Sequence, residues 1–140
     1  METENLKNLL QITFPNGEYG ESFITTVTTS KHYKILSKYS DETLASVCVL
    51  LTPATDEWEV IVIATHPNFQ GQGNASTLIK KAIILAKENN IKKLHLEVSE
   101  KNQTAISFYK KHNFNQVGKR KDYYKKGEHA VLFAHVFPNL

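Results

Sequence analysis

Residues 60–88 read Val-Ile-Val-Ile-Ala-Thr-His-Pro-Asn-Phe-Gln-Gly-Gln-Gly-Asn-Ala-Ser-Thr-Leu-Ile-Lys-Lys-Ala-Ile-Ile-Leu-Ala-Lys-Glu. The run Val60–Thr65, entered from Trp58, is apolar and rich in β-branched residues, which predicts a strand. Its unbroken apolar character predicts burial on both faces. From Asn74 to about Glu88, Ala75, Leu78, Ile79, Ala82, Ile83 and Ala86 recur at helical spacing, while Lys80, Lys81 and Lys87 face water. Between strand and helix lies the turn Gln70-Gly-Gln-Gly-Asn-Ala-Ser76. Glycines there let backbone N–H groups approach a ligand, and the following helix points its positive end at it; phosphate is the usual guest.

Two glycine-loop chemistries are excluded. A nucleoside-triphosphate loop needs G-x-x-x-x-G-K-[ST], but no lysine follows these glycines until Lys80, well inside the helix. A dinucleotide fingerprint needs G-x-G-x-x-G, but Gly71-Gln72-Gly73 is followed by Asn74, Ala75 and Ser76. The frame that fits is Gln70-x-x-Gly73-x-Ala75. Taken alone, a Gly-x-Gly here reads equally well as a plain helix-entry turn.

Working outward, Glu4–Ile12 predicts a helix with Leu6, Leu9 and Leu10 on one face, ended by Phe14-Pro15, and Tyr19 to about Thr28 a second, weaker one. His32–Ser37 and Thr43–Thr52 predict strands around a turn at Tyr39–Glu42. Asn89-Asn90 supplies a left-handed helix stop. Lys93–Val98 alternates, with Leu94, Leu96 and Val98 one way and His95 and Glu97 the other. Asn102 then caps a helix to about His112, and Asn113 takes a left-handed exit. Phe114–Lys119 and His129–Phe137 predict strands of a hairpin joined by a polar stretch with Gly127. Repeated βα units predict an α/β protein: a mixed sheet, parallel at its centre, with helices on both faces.

The 140 residues predict one domain over 1–140, with 41% hydrophobic and 22% charged content. No apolar run approaches the ~20 residues of a membrane span. The start Met-Glu-Thr-Glu-Asn lacks the features of a secretory leader. With the lone Cys48, which has no internal disulfide partner, this predicts a cytoplasmic protein. Cys48 lies in the apolar run Ala45–Leu51 and reads as a buried, inert thiol. The six histidines show no metal-ligand spacing, so no metal is expected. Net charge is +3, and residues 101–126 hold eight Lys or Arg against Asp122 alone. That imbalance implies an anionic partner, a phosphate-rich cofactor, an acidic protein or RNA, or else simply a solvated helix face and hairpin.

Residues 96–114 carry a second motif: Leu-Glu97-Val, then Asn102, Ala105-Ile106, Phe108-Tyr109 and Asn113-Phe114. With Gln70-x-x-Gly73-x-Ala75 ahead of it, this resembles the GNAT superfamily of acyl-CoA-dependent N-acyltransferases over about residues 14–137. Glu97 and Tyr109, twelve residues apart, with Gly118-Lys-Arg-Lys-Asp-Tyr-Tyr124 and Phe14-Pro15, resemble most closely the RimI-like and related protein N-terminal acetyltransferases. The resemblance implies the GNAT fold and acetyl-CoA as cosubstrate. It implies that Gln70, Gly71, Gln72, Gly73, Asn74, Ala75 and Ser76 wrap the pyrophosphate. Backbone groups of Ile63, Ala64 and Thr65 would pair with the pantetheine arm, and Asn102 would touch the cofactor. Glu97 would be the base, Tyr109 the proton donor to the leaving sulfur, and Tyr123 and Tyr124 a clasp over the acceptor peptide.

Direct attack by an amine needs no enzyme nucleophile, which agrees with the lack of a Ser–His or Cys–His arrangement. Each residue keeps a plain alternative: Glu97 a solvent-facing strand residue, Tyr109 a packing aromatic, Asn102 only a helix cap, Tyr123 and Tyr124 a cover for core edge. The sequence departs from the family at Ala75, Ser76 and Asn113, and no edge strand reads before Glu4. The leading expectation is an N-acetyltransferase acting on a primary amine, with a (ribosomal) protein N-terminus as acceptor. The alternatives are a small-amine acetyltransferase and a non-catalytic CoA- or RNA-binding module. The basic stretch lacks the aromatic platform of an RNA-binding sheet, which argues against nucleic acid. A monomer or homodimer is expected.

Overall fold

The computed structural model describes residues 3–138. In chain order it contains α1 (Thr3–Thr13), α2 (Glu21–Thr29), β1 (Tyr33–Ser40), β2 (Thr43–Leu51), β3 (Glu57–Thr65), α3 (Asn74–Glu88), β4 (Lys93–Ser99), α4 (Gln103–Lys111), β5 (Asn115–Lys125) and β6 (Glu128–Val136). The strands form one sheet in the order β1-β2-β3-β4-β6-β5. The central pair β3–β4 is parallel and every other neighbouring pair antiparallel. No helix among the described residues is long and apolar enough to cross a membrane.

Each face of the sheet carries its own core. Leu6, Leu9 and Leu10 of α1 and Ile24 and Val27 of α2 pack on Val47, Val49, Val62 and Ala64. Leu78, Ile79, Ala82 and Ala86 of α3 and Ile106 of α4 pack with Cys48, Leu50, Trp58, Val60, Leu94, Leu96 and Phe133 on the other face. The helical stripe of α3 is therefore buried as its spacing demands, with Ala75 and Ile83 at its half-buried margin. Asn90 and Asn113 take φ of 58° and 67°, so both helix exits use the left-handed turn that asparagine tolerates.

Strand β3 is packed on both faces, as its apolar run predicts, with one core on each. Its side chains alternate between buried and half-buried. The buried residues change face at a bulge: Val49 pairs with Val62 but Leu50 with Val60, leaving Ile61 as an extra residue. The bulge turns Val60 toward α3, and Val62 and Ala64 toward α1 and α2. A second break lies beside it. Parallel pairing with β4 covers only Glu57–Glu59 and Lys93–His95. Beyond Glu59 the strands part, and the half-buried side chains of Ile61, Ile63 and Thr65 border the gap.

The first hairpin turns later than expected, since β1 runs to Ser40 and Asp41 alone takes a positive φ of 53°. The last hairpin also differs. Lys121–Lys125, read as a polar connection, belongs to β5, which runs to Lys125 and turns at Gly127. That strand contains an irregularity: Arg120 pairs with Ala130 and Lys125 with Glu128, so Lys121–Tyr124 stand opposite His129 alone.

Candidate active site

The parting of β3 and β4 opens a cavity of about 850 Å³ that runs from the glycine turn to the edge of α1. At one end, Gly71 and Gly73 take φ of 75° and 80°, where an L side chain would be strained, and open space surrounds both. Gly73 is the N-cap of α3 and offers no side chain, so N–H groups of the first turn stay free of a side-chain cap. Asn74 is buried, and its Nδ2 donates to the Phe69 carbonyl at 3.1 Å, which ties the turn to the helix start. His66 braces the entry by accepting at Nδ1 from the Asn68 N–H, 3.1 Å away.

Ser76 Oγ lies 3.0 Å from His112 Nε2 at the end of α4, a hydrogen bond that joins the two helices bordering the cavity. His112 is buried against Phe108, with ring centroids 4.8 Å apart. Burial, and then the charges of Lys111 and Lys80, hold its pKa below the ordinary imidazole value. The unfolded chain therefore binds this proton more readily than the folded one. Stability from His112 is fully present above about pH 6.5 and is lost as pH falls through the lower folded value. In His112→Gln the decline in Tm between pH 7 and 5 is expected to flatten. A decline as steep as in the parent protein would contradict this.

Along the cavity, Ile63, Ala64 and Thr65 present strand backbone on the side where the ladder to β4 has stopped. Ser46 fixes this stretch from beneath, donating to the Ala64 carbonyl at 2.9 Å and sharing a 3.0 Å hydrogen bond with Thr65 Oγ1. Asn102 lines the wall and accepts the Ala105 N–H at 3.1 Å through Oδ1. It is thus a helix cap whose amide NH2 remains available to the cavity.

Toward the far end stand Glu97, on β4, and Tyr109, on α4. Tyr109 packs edge-on to Phe108 and Phe114, with centroids 5.3 and 5.5 Å away. Burial, with smaller pushes from Cys48 and Tyr19, raises its phenol well above the usual value, so the proton stays on. Cys48 itself is buried, and desolvation pushes its thiol up to about 12, as an inert core cysteine requires. Glu97 forms an ion pair with Arg120 at 3.2 Å, its side chain 21% exposed and that of Arg120 55%. Glu59, nearby on β3, has its carboxyl raised by burial and by Glu97, against lowering from His95 and Arg120.

Most of the residues singled out from sequence thus meet in one cavity: Ile63, Ala64, Thr65, Gln70, Gly71, Gly73, Asn74, Ala75, Ser76, Glu97, Asn102 and Tyr109. Gln72 is exposed and does not line it. Tyr123 and Tyr124 do not line it either. They stand on the irregular stretch of β5, half-exposed and edge-to-face at 5.0 Å. Arg120 lies over the Tyr123 ring at 5.2 Å, which links these tyrosines to Glu97. Residues the sequence reading missed include Tyr19, which lines the cavity and packs on Phe14 and Phe23 at 4.9 and 4.8 Å, as well as His112 and Arg120. Tyr19 lies in an irregular connection without periodicity. Arg120 was one of eight cations, and only the sheet register brings it to Glu97. Among the described residues, no three His, Cys, Asp or Glu side chains cluster as metal ligands would.

The sequence profile of the "Acetyltransferase (GNAT) family" matches residues 3–114. A candidate ribosomal protein bS18-alanine N-acetyltransferase of Bacillus subtilis is 35% identical over 102 residues, covering 72% of this chain and 66% of that one. The ribosomal protein bS18-alanine N-acetyltransferase of Haemophilus influenzae is 41% identical over 83 residues, 56% of each chain. The chain thus spans two-thirds or less of the length of these curated relatives. In fold, the crystal structure of the ribosomal-protein-S18-alanine N-acetyltransferase from Escherichia coli superposes with a TM-score of 0.84 at 22% identity, covering 99% of this chain and 89% of that one.

Proposed function

Because the chain belongs to the GNAT acetyltransferase family, we propose that it transfers an acetyl group from acetyl-CoA directly to a primary amine, the N-terminal amine of a protein such as a ribosomal protein. The observation that carries this reading is that Glu97 and Tyr109 stand on two walls of one cleft that begins at the Gln70–Ser76 turn. The turn suits an anionic cofactor: two left-handed glycines, an uncapped helix start and Lys111 lining the cavity all favour phosphate. Backbone N–H groups of Asn74, Ala75 and Ser76 hold the pyrophosphate, with Gln70 and Gly71 closing over it. Gln72 contributes main chain only. Ile63, Ala64 and Thr65 pair with the pantetheine arm as an added strand would, in the place β4 leaves free, and Asn102 donates from its NH2.

The amine must be neutral to attack, and an α-amine has a pKa of about 7.7–8.0. Glu97 takes its proton, directly or through water. Nitrogen bonds to the thioester carbon, the C–S bond breaks as the Tyr109 O–H donates to the departing sulfur, and the surplus proton on nitrogen passes through solvent to restore the Tyr109 hydroxyl. The arriving ammonium replaces Arg120 beside the Glu97 carboxylate. Phe14 and Tyr19 wall the acceptor end, and Tyr123 and Tyr124 close over the peptide backbone. The bS18-alanine activity for which these relatives are named supports a small first residue on the acceptor. A ribosomal acceptor implies work in the cytoplasm.

Thiol release from acetyl-CoA, measured over peptides with free and blocked N-termini, polyamines and amino sugars, tests this reading. Turnover is expected with free α-amines, an alanine-first peptide foremost. Turnover confined to polyamines or amino sugars moves the acceptor to small molecules, and none with any amine removes the enzymatic reading. Tyr124→Ala is expected to raise the peptide KM about tenfold, the scale of one lost aromatic contact, and to leave the acetyl-CoA KM alone. An unchanged peptide KM would take Tyr124 out of the acceptor site.

A further inference from the structure

The stretch of β5 that carries Tyr123 and Tyr124 is not held by the sheet ladder. Arg120 pairs with Ala130 and Lys125 with Glu128, so Lys121–Tyr124 form a bulge opposite a single residue, His129. Within the loop Asp122 takes φ of 53°, a left-handed conformation that an aspartate tolerates but does not prefer. Two hydrogen bonds keep it there, and Asp122 Oδ1 also lies 3.6 Å from His129 Nδ1. The Asp122 N–H donates to His129 Nδ1 at 2.8 Å. The Gly127 N–H donates to Asp122 Oδ1 at 2.7 Å.

We propose that His129 is a positioning residue for the acceptor side, a latch that fixes the bulged Lys121–Tyr124 loop and through it aims Tyr123 and Tyr124. The imidazole is built for the task. Nδ1 accepts a hydrogen bond, so in the neutral ring the proton is on Nε2. Nε2 lies 3.6 Å from Glu100 Oε1, and Glu100 is in turn held by Lys119 at 3.1 Å. The backbone binds the same pair, since the Glu100 N–H donates to the His129 carbonyl at 3.0 Å. The ring is therefore oriented from both sides, and its acceptor atom faces the one N–H that defines the bulge. The loop in turn reaches the reaction end: Tyr123 stacks on Arg120, which pairs with Glu97, and the Tyr124 phenol is raised by burial and then by the Glu97 charge. Losing the latch frees a segment without ladder hydrogen bonds, and the two rings lose their fixed angle to the cleft.

This inference rests on the acceptor role proposed for Tyr123 and Tyr124, and two variants test it. In His129→Asn the side-chain Oδ1 takes the place of Nδ1 as acceptor; His129→Leu has none. His129→Leu is expected to raise the peptide KM about tenfold, as misplaced binding groups do, with the acetyl-CoA KM unchanged and exchange of the Asp122 amide hydrogen accelerated. His129→Asn is expected to restore both. An Asp122 amide as protected in the leucine variant as in the parent protein would overturn the latch. So would an asparagine variant as impaired as the leucine one, or a parallel rise in both KM values. If the parent protein acetylates no amine, the acceptor reading fails, and amide exchange alone then decides whether His129 is the latch.

Discussion

Replacing Tyr109 with Phe is expected to lower kcat by roughly 10²–10³-fold, the range of a lost general acid, while acetyl-CoA binds as before. The ring stays wedged between Phe108 and Phe114, so the packing of α4 on the core beneath it survives and only the hydroxyl is lost. The hydroxyl matters because a thiolate leaving into an apolar wall has no water to stabilise it. The raised phenol is not an obstacle. The burial that weakens Tyr109 as an acid also strengthens the thiolate as a base, since both anions are desolvated. What remains is the ordinary gap between a phenol near 10 and a thiol near 8.5, about 2 kcal/mol, which a shared hydrogen bond in the transition state can offset. Steady-state turnover alongside equilibrium binding of acetyl-CoA checks this; unchanged kcat would leave Tyr109 a packing residue.

Glu97→Gln is expected to lower kcat/KM for the peptide by about 10²-fold below pH 7 and by progressively less above the amine's own pKa of about 8. The pH dependence carries the argument. At low pH almost every acceptor arrives as ammonium and must lose a proton in the site. At high pH it arrives already neutral and the base is redundant. A loss of equal size from pH 6 to 9 would assign Glu97 to holding Arg120 rather than to proton transfer, because their ion pair is present in the resting site at 3.2 Å. Arg120→Gln in parallel separates the two roles, since it removes the ion pair and keeps the carboxylate.

How far the sequence carried the site depended on whether the information was local. The turn at Gly71 and Gly73, the stripe of α3, the Asn102 cap and the left-handed Asn113 all follow from a few neighbouring residues, and the structure places them as read. Glu97 and Tyr109 were singled out through the family resemblance, and the structure sets both on the cavity wall. What stayed hidden involves register. Arg120 reaches Glu97 only because β6 lies between β4 and β5, and His112 meets Ser76 only because α4 ends beside the start of α3. The four-against-one mismatch at His129 appears as a polar hairpin to any reading of composition, because Lys, Asp and Gly favour loops whether or not a strand continues through them. Val60–Ala64 hid its bulge for a related reason: a bulge leaves the apolar run intact while changing which face each residue serves.

That bulge makes β3 sensitive to its pairing register in a way substitutions do not reveal. Ile61 works as a parity switch: residues before it count odd and even for one core, those after it for the other. Regular pairing with β2 that kept Ile61 in the ladder would restore simple alternation and send Val62 and Ala64 into the α3 layer. Ile63 and Thr65 would then turn toward α1 and α2, and their half-buried side chains would leave the border of the cleft. Deleting Ile61 would instead remove the bulge and leave every later side chain on its present face, because Val62 would then directly follow Val60. The strand can therefore lose its extra residue but cannot take it into the ladder.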